Sequence, residues 1–360
     1  MLGTNPGYRW LMVDWSLARQ IARFAAGGAQ VPSLGVDLER MSADAERRVA
    51  DYTGLTLPGP PPPPEMIDRA TWADINLDTL ASLLDPVGER LSERFASAGP
   101  LAGPLRAAAG ATLAAEVGLV AGYMSQRVLG QYELSLLQPE QPARLLFVGP
   151  NLVKAIGELQ LERDGFLAWI VFHEVTHVFQ LAGVEWLRPY LADLLREYLE
   201  TVEVSIEKGA AGGLPSLPSA KAIAEAYREG GLAALVQNKQ QRGIMRRLQA
   251  VMAVVEGYSE HVMDAVGEQV LPGYEKLRDA MDRRRESKSA PQRILERLLG
   301  LDLKMRQYVV GKRFCDAVAD KHGIATLNRV WEAPELLPSL KELDHPEDWV
   351  SRIGDKRAAA

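Results

Sequence analysis

Residues 166–180 read Phe-Leu-Ala-Trp-Ile-Val-Phe-His-Glu-Val-Thr-His-Val-Phe-Gln and form the most informative stretch of the chain. The segment is apolar on nearly all sides of a helix, a pattern typical of a helix buried in a protein core. Its uninterrupted apolar run stops at Phe172, far short of the roughly 20 apolar residues that a membrane span requires. We therefore expect a core helix and no transmembrane segment.

Within this helix lies the pattern His-Glu-x-x-His, formed by His173, Glu174 and His177. Residues four apart project from one helix face, so both imidazoles can bind one ion, and tetrahedral zinc accepts that arrangement. Glu174 lies about 100° further round the helix, which favours a general base acting on water over a third ligand. With 5 His in 360 residues, the pattern arises by chance in about half a percent of such chains.

The alternative is that both histidines are core residues satisfied by hydrogen bonds and that Glu174 pairs with an arginine. Burying two imidazoles and a carboxylate in one apolar helix is costly without a strong shared partner. The metal site is the better interpretation.

A third ligand is expected from the apolar segment 251–263, which contains Glu256, Glu260 and His261. Glu256 and Glu260 share a helix face, whereas His261 is turned about 140° away from Glu256. The site therefore uses Glu256 with Glu260 nearby, or His261 without Glu256. We favour Glu256, because Gly257 beside it would let this helix approach the His173 helix closely. Glu260 then either hydrogen-bonds a ligand histidine or faces solvent.

Two further histidines, His322 and His345, follow Lys321 and Asp344 in polar surroundings and are expected at the surface. The single Cys315 excludes an internal disulfide and a cysteine-rich metal site, and it fits a reducing, cytoplasmic location. The N-terminus has no basic start followed by an apolar run, so no secretory signal is expected. A net charge of −6 spread along the chain gives no reason to expect nucleic-acid binding.

The chain organisation predicts a mainly helical protein with a small β element before the metal helix. Helical patterns at 10–26 and 38–52 precede a proline-rich stretch ending at Pro64, so we expect an N-terminal helical extension, 1–64, and a catalytic unit, 65–360. Residues 68–130 are again helical in pattern, and strands are predicted at 132–137 and 145–148. Later helices should break at Gly183, at 209–218, near Pro272, at 287–291 and at Gly323.

Four segments together carry a family resemblance: Phe-Val-Gly-Pro-Asn (147–151), Phe-His-Glu-Val-Thr-His-Val-Phe-Gln (172–180), Glu-Gly-Tyr-Ser-Glu-His-Val-Met-Asp (256–264) and Gln-Tyr-Val-Val-Gly (307–311). Over residues 68–349 the chain resembles an actinobacterial and chloroflexal family of zincin-like hydrolases, some associated with deazaflavin-coenzyme biosynthesis. The metal pattern resembles that of gluzincin metallopeptidases.

This resemblance implies zinc on His173, His177 and Glu256, with Glu174 as the base. The chain departs from the broader gluzincin pattern because no His and Tyr pair can be assigned as the oxyanion stabiliser. Tyr258 and Tyr308 are the candidates, although a tyrosine in a helical pattern is more often a packing residue.

The expected function is zinc-dependent hydrolysis of a peptide or amide bond, with a peptide or a small amide as the partner. The strand at 145–148 would bind an extended peptide if one of its edges were open. The rival from another class is a helical scaffold or binding protein with a structural or vestigial zinc site. The sequence specifies no oligomeric state.

Overall fold

The computed structural model describes residues 13–94, 102–138, 140–211, 239–286 and 301–358. The chain is mostly helical with one small sheet, which confirms the predicted fold class. The α-helices are α1 (Trp15–Ala26), α2 (Leu38–Thr53), α3 (Arg69–Arg94), α4 (Ala102–Ser125), α5 (Gly149–Leu159), α6 (Arg163–Gly183), α7 (Leu187–Ala211), α8 (Lys239–Val270), α9 (Tyr274–Glu286), α10 (Leu301–His322), α11 (Ile324–Leu327), α12 (Leu340–Asp344) and α13 (Pro346–Ala358). The strands are β1 (Pro64–Ile67), β2 (Gly130–Glu133) and β3 (Arg144–Val148), and short 3₁₀ turns cover Asn328–Trp331 and Pro334–Leu336.

Contacts divide the chain into two compact units. The first comprises Met1–Gly35 with Glu65–Ala155, and the second comprises Val36–Pro64 with Ile156–Ala360. This grouping does not coincide with the division at residue 64 expected from the proline-rich stretch, so the two-domain organisation stays a prediction.

The sheet lies in the first unit and has the strand order β1-β3-β2. Strand β3 confirms the strand predicted at 145–148, and it pairs antiparallel with β2, Tyr132 lying opposite Leu145. Strand β2 runs earlier than predicted, because pairing ends at Glu133. Since β3 is the central strand, both of its edges are occupied, so the condition under which this strand would bind an extended peptide is not met.

Strand β1 was not predicted from the sequence, because it begins at the last residue of the proline-rich stretch. Proline has no N–H to donate, but it is tolerated as the first residue of a strand. Pro64 occupies that position here. The rest of the stretch, 58–63, forms neither helix nor strand.

The second unit is built around α6, which packs against α2 and α8, and α8 in turn packs against α10. Helix α6 begins where the Glu162 side chain accepts hydrogen bonds from the backbone N–H groups of Asp164 and Gly165. Such capping satisfies donors that the first helical turn leaves unpaired. The helix is buried along most of its length, as its apolar pattern predicts.

Several predicted helix ends agree with the structure. Helix α6 ends at Gly183, α8 ends at Val270 shortly before Pro272, and α10 ends just before Gly323. Helix α7 continues through Gly209 to Ala211. The remainder of the break predicted at 209–218, from residue 212 onward, and the break predicted at 287–291 lie outside the described residues.

Among the helices that the structure describes, none is by itself long and apolar enough to cross a membrane. Only α6 taken together with the first part of α7, up to Thr201, meets those criteria, and these two segments are bent by 83°.

Candidate metal centre

The three predicted ligands converge on one point in the second unit. His173 and His177 project from one face of α6, four residues apart, while Glu256 comes from α8. The two histidine Nε2 atoms lie 3.1 Å apart. Glu256 Oε2 lies 3.8 Å from Nε2 of His173 and 3.5 Å from Nε2 of His177. In the part of the chain that is described, this is the one group of His, Cys, Asp and Glu donors arranged to hold a metal ion.

These separations fit a tetrahedral ion. With metal–ligand bonds of 2.0–2.2 Å, neighbouring ligand atoms of a tetrahedron lie about 3.3–3.6 Å apart. The observed ligand-atom distances of 3.1, 3.5 and 3.8 Å bracket that spacing. Two imidazoles and one carboxylate are also a donor set that zinc accepts, and three protein ligands leave a fourth position open.

The centre is buried but reachable from solvent. The side chains of His173 and His177 are 17% and 12% exposed, and that of Glu256 is 10% exposed. Glu174 is buried on α6 directly after His173. Its negative charge helps to raise the pKa of His177.

The pKa of His177 is raised overall. Burial pulls it down, but the hydrogen bond and charge of Glu256, the charge of Glu174 and the hydrogen bond to Gln180 together outweigh burial. A raised pKa means that the folded, metal-free protein holds a proton on this imidazole more tightly. A metal ion must displace that proton, because a histidine binds metal in its neutral form.

Two buried side chains that sequence analysis missed contact His177, one of the predicted ligands. Its Nδ1 lies 2.9 Å from Gln180 Oε1 and 3.1 Å from Ser259 Oγ. Gln180 also donates through Nε2 to the backbone carbonyl of Val255, 2.8 Å away. A signal was present, since Gln180 is a polar residue one turn after His177 in an otherwise apolar helix.

One protein family matches nearly the whole chain. The family model described as zincin-like metallopeptidase matches residues 13–350. The chain belongs to this family. The resemblance drawn from the four sequence segments is thereby confirmed.

A solved structure agrees with this membership. The chain is similar to a protein from Chloroflexus aurantiacus, described as a "putative hydrolase with a novel fold", with 30% sequence identity and a TM-score of 0.69. The similarity covers 95% of this chain and 99% of that one. No curated protein matches the chain.

In this zincin-like protein His261 lies outside the group formed by His173, His177 and Glu256. Its Nε2 lies 2.7 Å from the Tyr52 hydroxyl, and its Nδ1 lies 2.9 Å from Asp316 Oδ1. Both ring nitrogens are therefore engaged by other groups. The structure brings Glu256, and not His261, to the two histidines of α6.

Glu260 is 2% exposed and its Oε2 accepts a hydrogen bond from Arg278 Nη1 at 3.0 Å. It is not the solvent-facing carboxylate that the sequence left open as one alternative. Its predicted role as hydrogen-bond partner of a ligand histidine stays a prediction.

Tyr258, one candidate for stabilising an oxyanion, is fully buried on another face of α8. Its hydroxyl donates to Asn328 Oδ1 at 2.7 Å, and its ring packs edge-on against Trp331. Burial raises the pKa of its phenol well above the usual range. These contacts are those of a packing residue. The side chain of Tyr308, the other candidate, lies outside the described residues.

Gly257 packs against a different helix from the one predicted, although Glu256 does reach the two histidines of α6. Gly257 was expected to admit the His173 helix, yet it faces α10. A methyl group on Gly257 would overlap the backbone of Gly311, so the two glycines permit α8 and α10 to cross closely. The face of a helix that meets a given neighbour depends on tertiary packing, and a glycine alone does not reveal it.

The two remaining histidines lie at the surface, as predicted. His345 is exposed at the end of α12, and His322 lies 3.3 Å from the carboxylate of the exposed Glu347.

Proposed function

We propose that this protein is a zinc-dependent hydrolase that cleaves a peptide or amide bond. The observation that carries the proposal is the convergence of His173, His177 and Glu256 at tetrahedral spacing, with Glu174 buried on the same helix directly after His173. Membership of the zincin-like metallopeptidase family and the similarity to a protein described as a hydrolase support it.

His173 and His177 would hold the ion through their Nε2 atoms and Glu256 through Oε2. Zinc, when bound, polarises a carbonyl group and lowers the pKa of a water molecule toward about 7. Glu174, which follows His173 on α6, would serve as the general base. Its carboxylate accepts a proton from the attacking water and later delivers it to the leaving nitrogen.

Catalysis explains the residues better than a structural site does. A structural zinc site is normally closed by four protein ligands, whereas these three leave one position open. The cytoplasmic location inferred from the single Cys315 stays a prediction.

The first experiment measures zinc in the protein and in Glu174→Gln. Purified wild-type protein should contain about one zinc per chain, and chelator-stripped protein should take zinc up again at neutral pH. Glu174→Gln should keep the metal and lose about 10²- to 10⁴-fold in turnover, the range for removal of a general base. Glu185→Gln, at an exposed position just after α6, is the matched control and should change neither quantity.

Wild-type protein that takes up no zinc would overturn the proposal. Loss of zinc from Glu174→Gln would instead make Glu174 a ligand. Activity should be assayed on a peptide library and on a set of small amides, because the two substrate classes are distinguished only by turnover.

A hydroxamate chelator tests whether a coordination position is open. It should raise the melting temperature of the zinc-loaded protein saturably, because it binds the folded state. Absence of any shift below the concentration that extracts zinc would favour a structural site. A shift without turnover on any substrate would favour a vestigial one.

A further inference from the structure

Gln180 is buried between the two helices that supply the metal ligands. It is 0% exposed, lies on α6 one turn after His177, and reaches the backbone of α8 at Val255, the residue before Glu256. A buried amide must satisfy its donor and acceptor atoms locally, because leaving one unpaired costs about 1–3 kcal/mol. The contacts of Gln180 therefore reveal which way its amide points.

The orientation of the amide follows from the carbonyl of Val255. A backbone carbonyl can only accept, so the Gln180 atom 2.8 Å from it must be the NH₂ group. The other amide atom is then the oxygen, and it lies 2.9 Å from Nδ1 of His177. An oxygen acceptor at this distance requires a hydrogen on Nδ1.

The hydroxyl of Ser259 agrees with this assignment. It lies 3.0 Å from both Gln180 Oε1 and the Val255 carbonyl, and it can donate its single hydrogen to either acceptor. It also lies 3.1 Å from Nδ1 of His177, but it could donate to that nitrogen only if Nδ1 carried no hydrogen, and Gln180 Oε1 would then face an unprotonated nitrogen at 2.9 Å. Donation to Gln180 Oε1 or to Val255 O leaves the hydrogen on Nδ1.

We infer that Gln180 is a positioning residue that fixes His177 in the Nδ1–H tautomer and thereby leaves Nε2 free to bind the metal. A neutral imidazole carries one hydrogen, so a hydrogen held on Nδ1 leaves the lone pair on Nε2, the atom that faces His173 and Glu256. The same amide also ties α6 to α8 beside Glu256, so one side chain positions ligands from two helices. This inference rests on the proposed metal site.

The wild-type protein allows a test without any substitution. In metal-free protein at alkaline pH, the ¹⁵N chemical shifts of the His177 ring should show a protonated Nδ1 and an unprotonated Nε2. The opposite tautomer would overturn the inference. This readout needs neither zinc nor turnover, so it is independent of whether the hydrolase proposal succeeds.

Gln180→Met tests the role by substitution. Methionine has a similar length but cannot accept from Nδ1–H, so His177 should populate both tautomers. Zinc affinity, measured by chelator competition, should fall about 10- to 100-fold, the usual cost of removing the partner of a ligand histidine. Gln180→Glu keeps an oxygen acceptor for Nδ1–H, although it loses the donor to the Val255 carbonyl, and should keep the Nδ1–H tautomer that Gln180→Met loses.

Thr176→Val is the matched control. Thr176 is equally buried on α6, but its hydroxyl donates only to the backbone carbonyl of Phe172. It should change zinc affinity less than twofold and leave the tautomer unaltered. Equal losses of affinity in Gln180→Met and Thr176→Val, or a folded Gln180→Met with wild-type affinity and tautomer, would contradict the role.

Discussion

Helix α8 carries two sets of ionisable groups that the fold treats in different ways. Around Asp264, charges are paired: Arg278 lies 3.0 Å from both Glu260 and Asp264, and Lys312 lies 3.1 Å from Asp264. Around Glu256, three donors converge, with two imidazole nitrogens and one carboxylate oxygen within 4.8 Å of one another. We call the first set the charge network and the second the metal cluster.

The charge network extends across four helices. Lys312 also contacts Asp316, which in turn accepts from His261, whose other nitrogen lies against Tyr52 of α2. Here the protein supplies both acids and cations, so the groups stabilise one another without an added ion. In the metal cluster the three donor atoms are arranged so that they could hold a metal cation, which would supply the positive charge. A buried carboxylate beside a cation, as in the charge network, therefore indicates an ion pair. A buried carboxylate beside two imidazoles, as in the metal cluster, indicates a candidate metal site.

The largest effect is expected where α8 and α10 cross, because both regions contain residues of α8. A methyl group on Gly311 would overlap the carbonyl oxygen of Ala253, so Gly311→Ala must push α10 away from α8. We expect a loss of about 4 kcal/mol or more in the free energy of unfolding, at the exceptional end for one substitution. Denaturant titration measures it.

The control for Gly311→Ala is Gly243→Ala. Gly243 also lies in α8, but a methyl group there meets no atom within 4 Å. This change should stabilise the helix by about 0.5–1 kcal/mol, because alanine is the better helix former. If Gly311→Ala were tolerated equally well, α8 and α10 would not cross at these residues.

Arg278→Met should break the charge network and spare the metal cluster. It removes a cation paired with the buried Glu260 and one of the two cations paired with the partly buried Asp264, and loss of one partner from a buried ion pair costs about 3–5 kcal/mol. Arg247→Met removes a more exposed arginine paired with Glu197 and should cost less than about 1 kcal/mol. Zinc affinity should stay within a few-fold of wild type in both. A large loss in Arg278→Met would join the two regions into one.

Contacts between residues close in sequence were predicted well, and contacts between distant segments were not. The pair His173 and His177 lies within one helical turn, so helix geometry alone places both rings on one face. Glu256 was recoverable because a carboxylate in an apolar helix needs an explanation, and family resemblance supplied one. The helix boundaries near Gly183, Pro272 and Gly323 follow from local backbone chemistry.

The rest depends on which faces of distant helices meet. Nothing near His261 in the sequence reveals that Tyr52, 209 residues away, and Asp316 occupy its two nitrogens. Gly257 was assigned to the wrong neighbouring helix for the same reason. Strand β1 was missed because the prolines before it hide the usual strand pattern. Proline is nevertheless tolerated as the first residue of a strand.

A direct comparison of Glu256→Ala with His261→Ala separates the two regions by function. Glu256→Ala removes one of the three proposed ligands, so zinc affinity should fall by more than about 100-fold, beyond the cost of losing a hydrogen-bond partner of a ligand. His261→Ala should keep zinc affinity within a few-fold, yet lower the unfolding free energy by about 1–3 kcal/mol, because Tyr52 and Asp316 lose a partner.

Chelator competition and denaturant titration on the same two variants give the result. The opposite order of zinc affinities would move the site to His261 and require a three-histidine centre.

The smallest effect concerns the acid side of the stability curve. Burial raises the pKa of Asp316, but hydrogen bonds from His261 and Lys312 outweigh burial, so its pKa in the folded protein lies below its ordinary value. A depressed pKa means that the unfolded chain binds the proton more tightly. The stabilisation is therefore complete above the ordinary pKa of about 3.9 and is lost as the pH falls through the folded-state value. Because the side chain is 35% exposed, solvent screening limits the effect to about 1 kcal/mol or less.

Asp316→Asn should thus be less stable than wild type near neutral pH, and the difference should shrink below about pH 4. Asp193→Asn, at an exposed carboxylate paired with Arg196, is the control and should give a smaller, flatter difference. Urea titrations of metal-free protein across the acidic range measure both. A difference for Asp316→Asn that stays constant down to low pH would mean that Asp316 contributes through packing, and the charge network would then lose its link between Lys312 and His261.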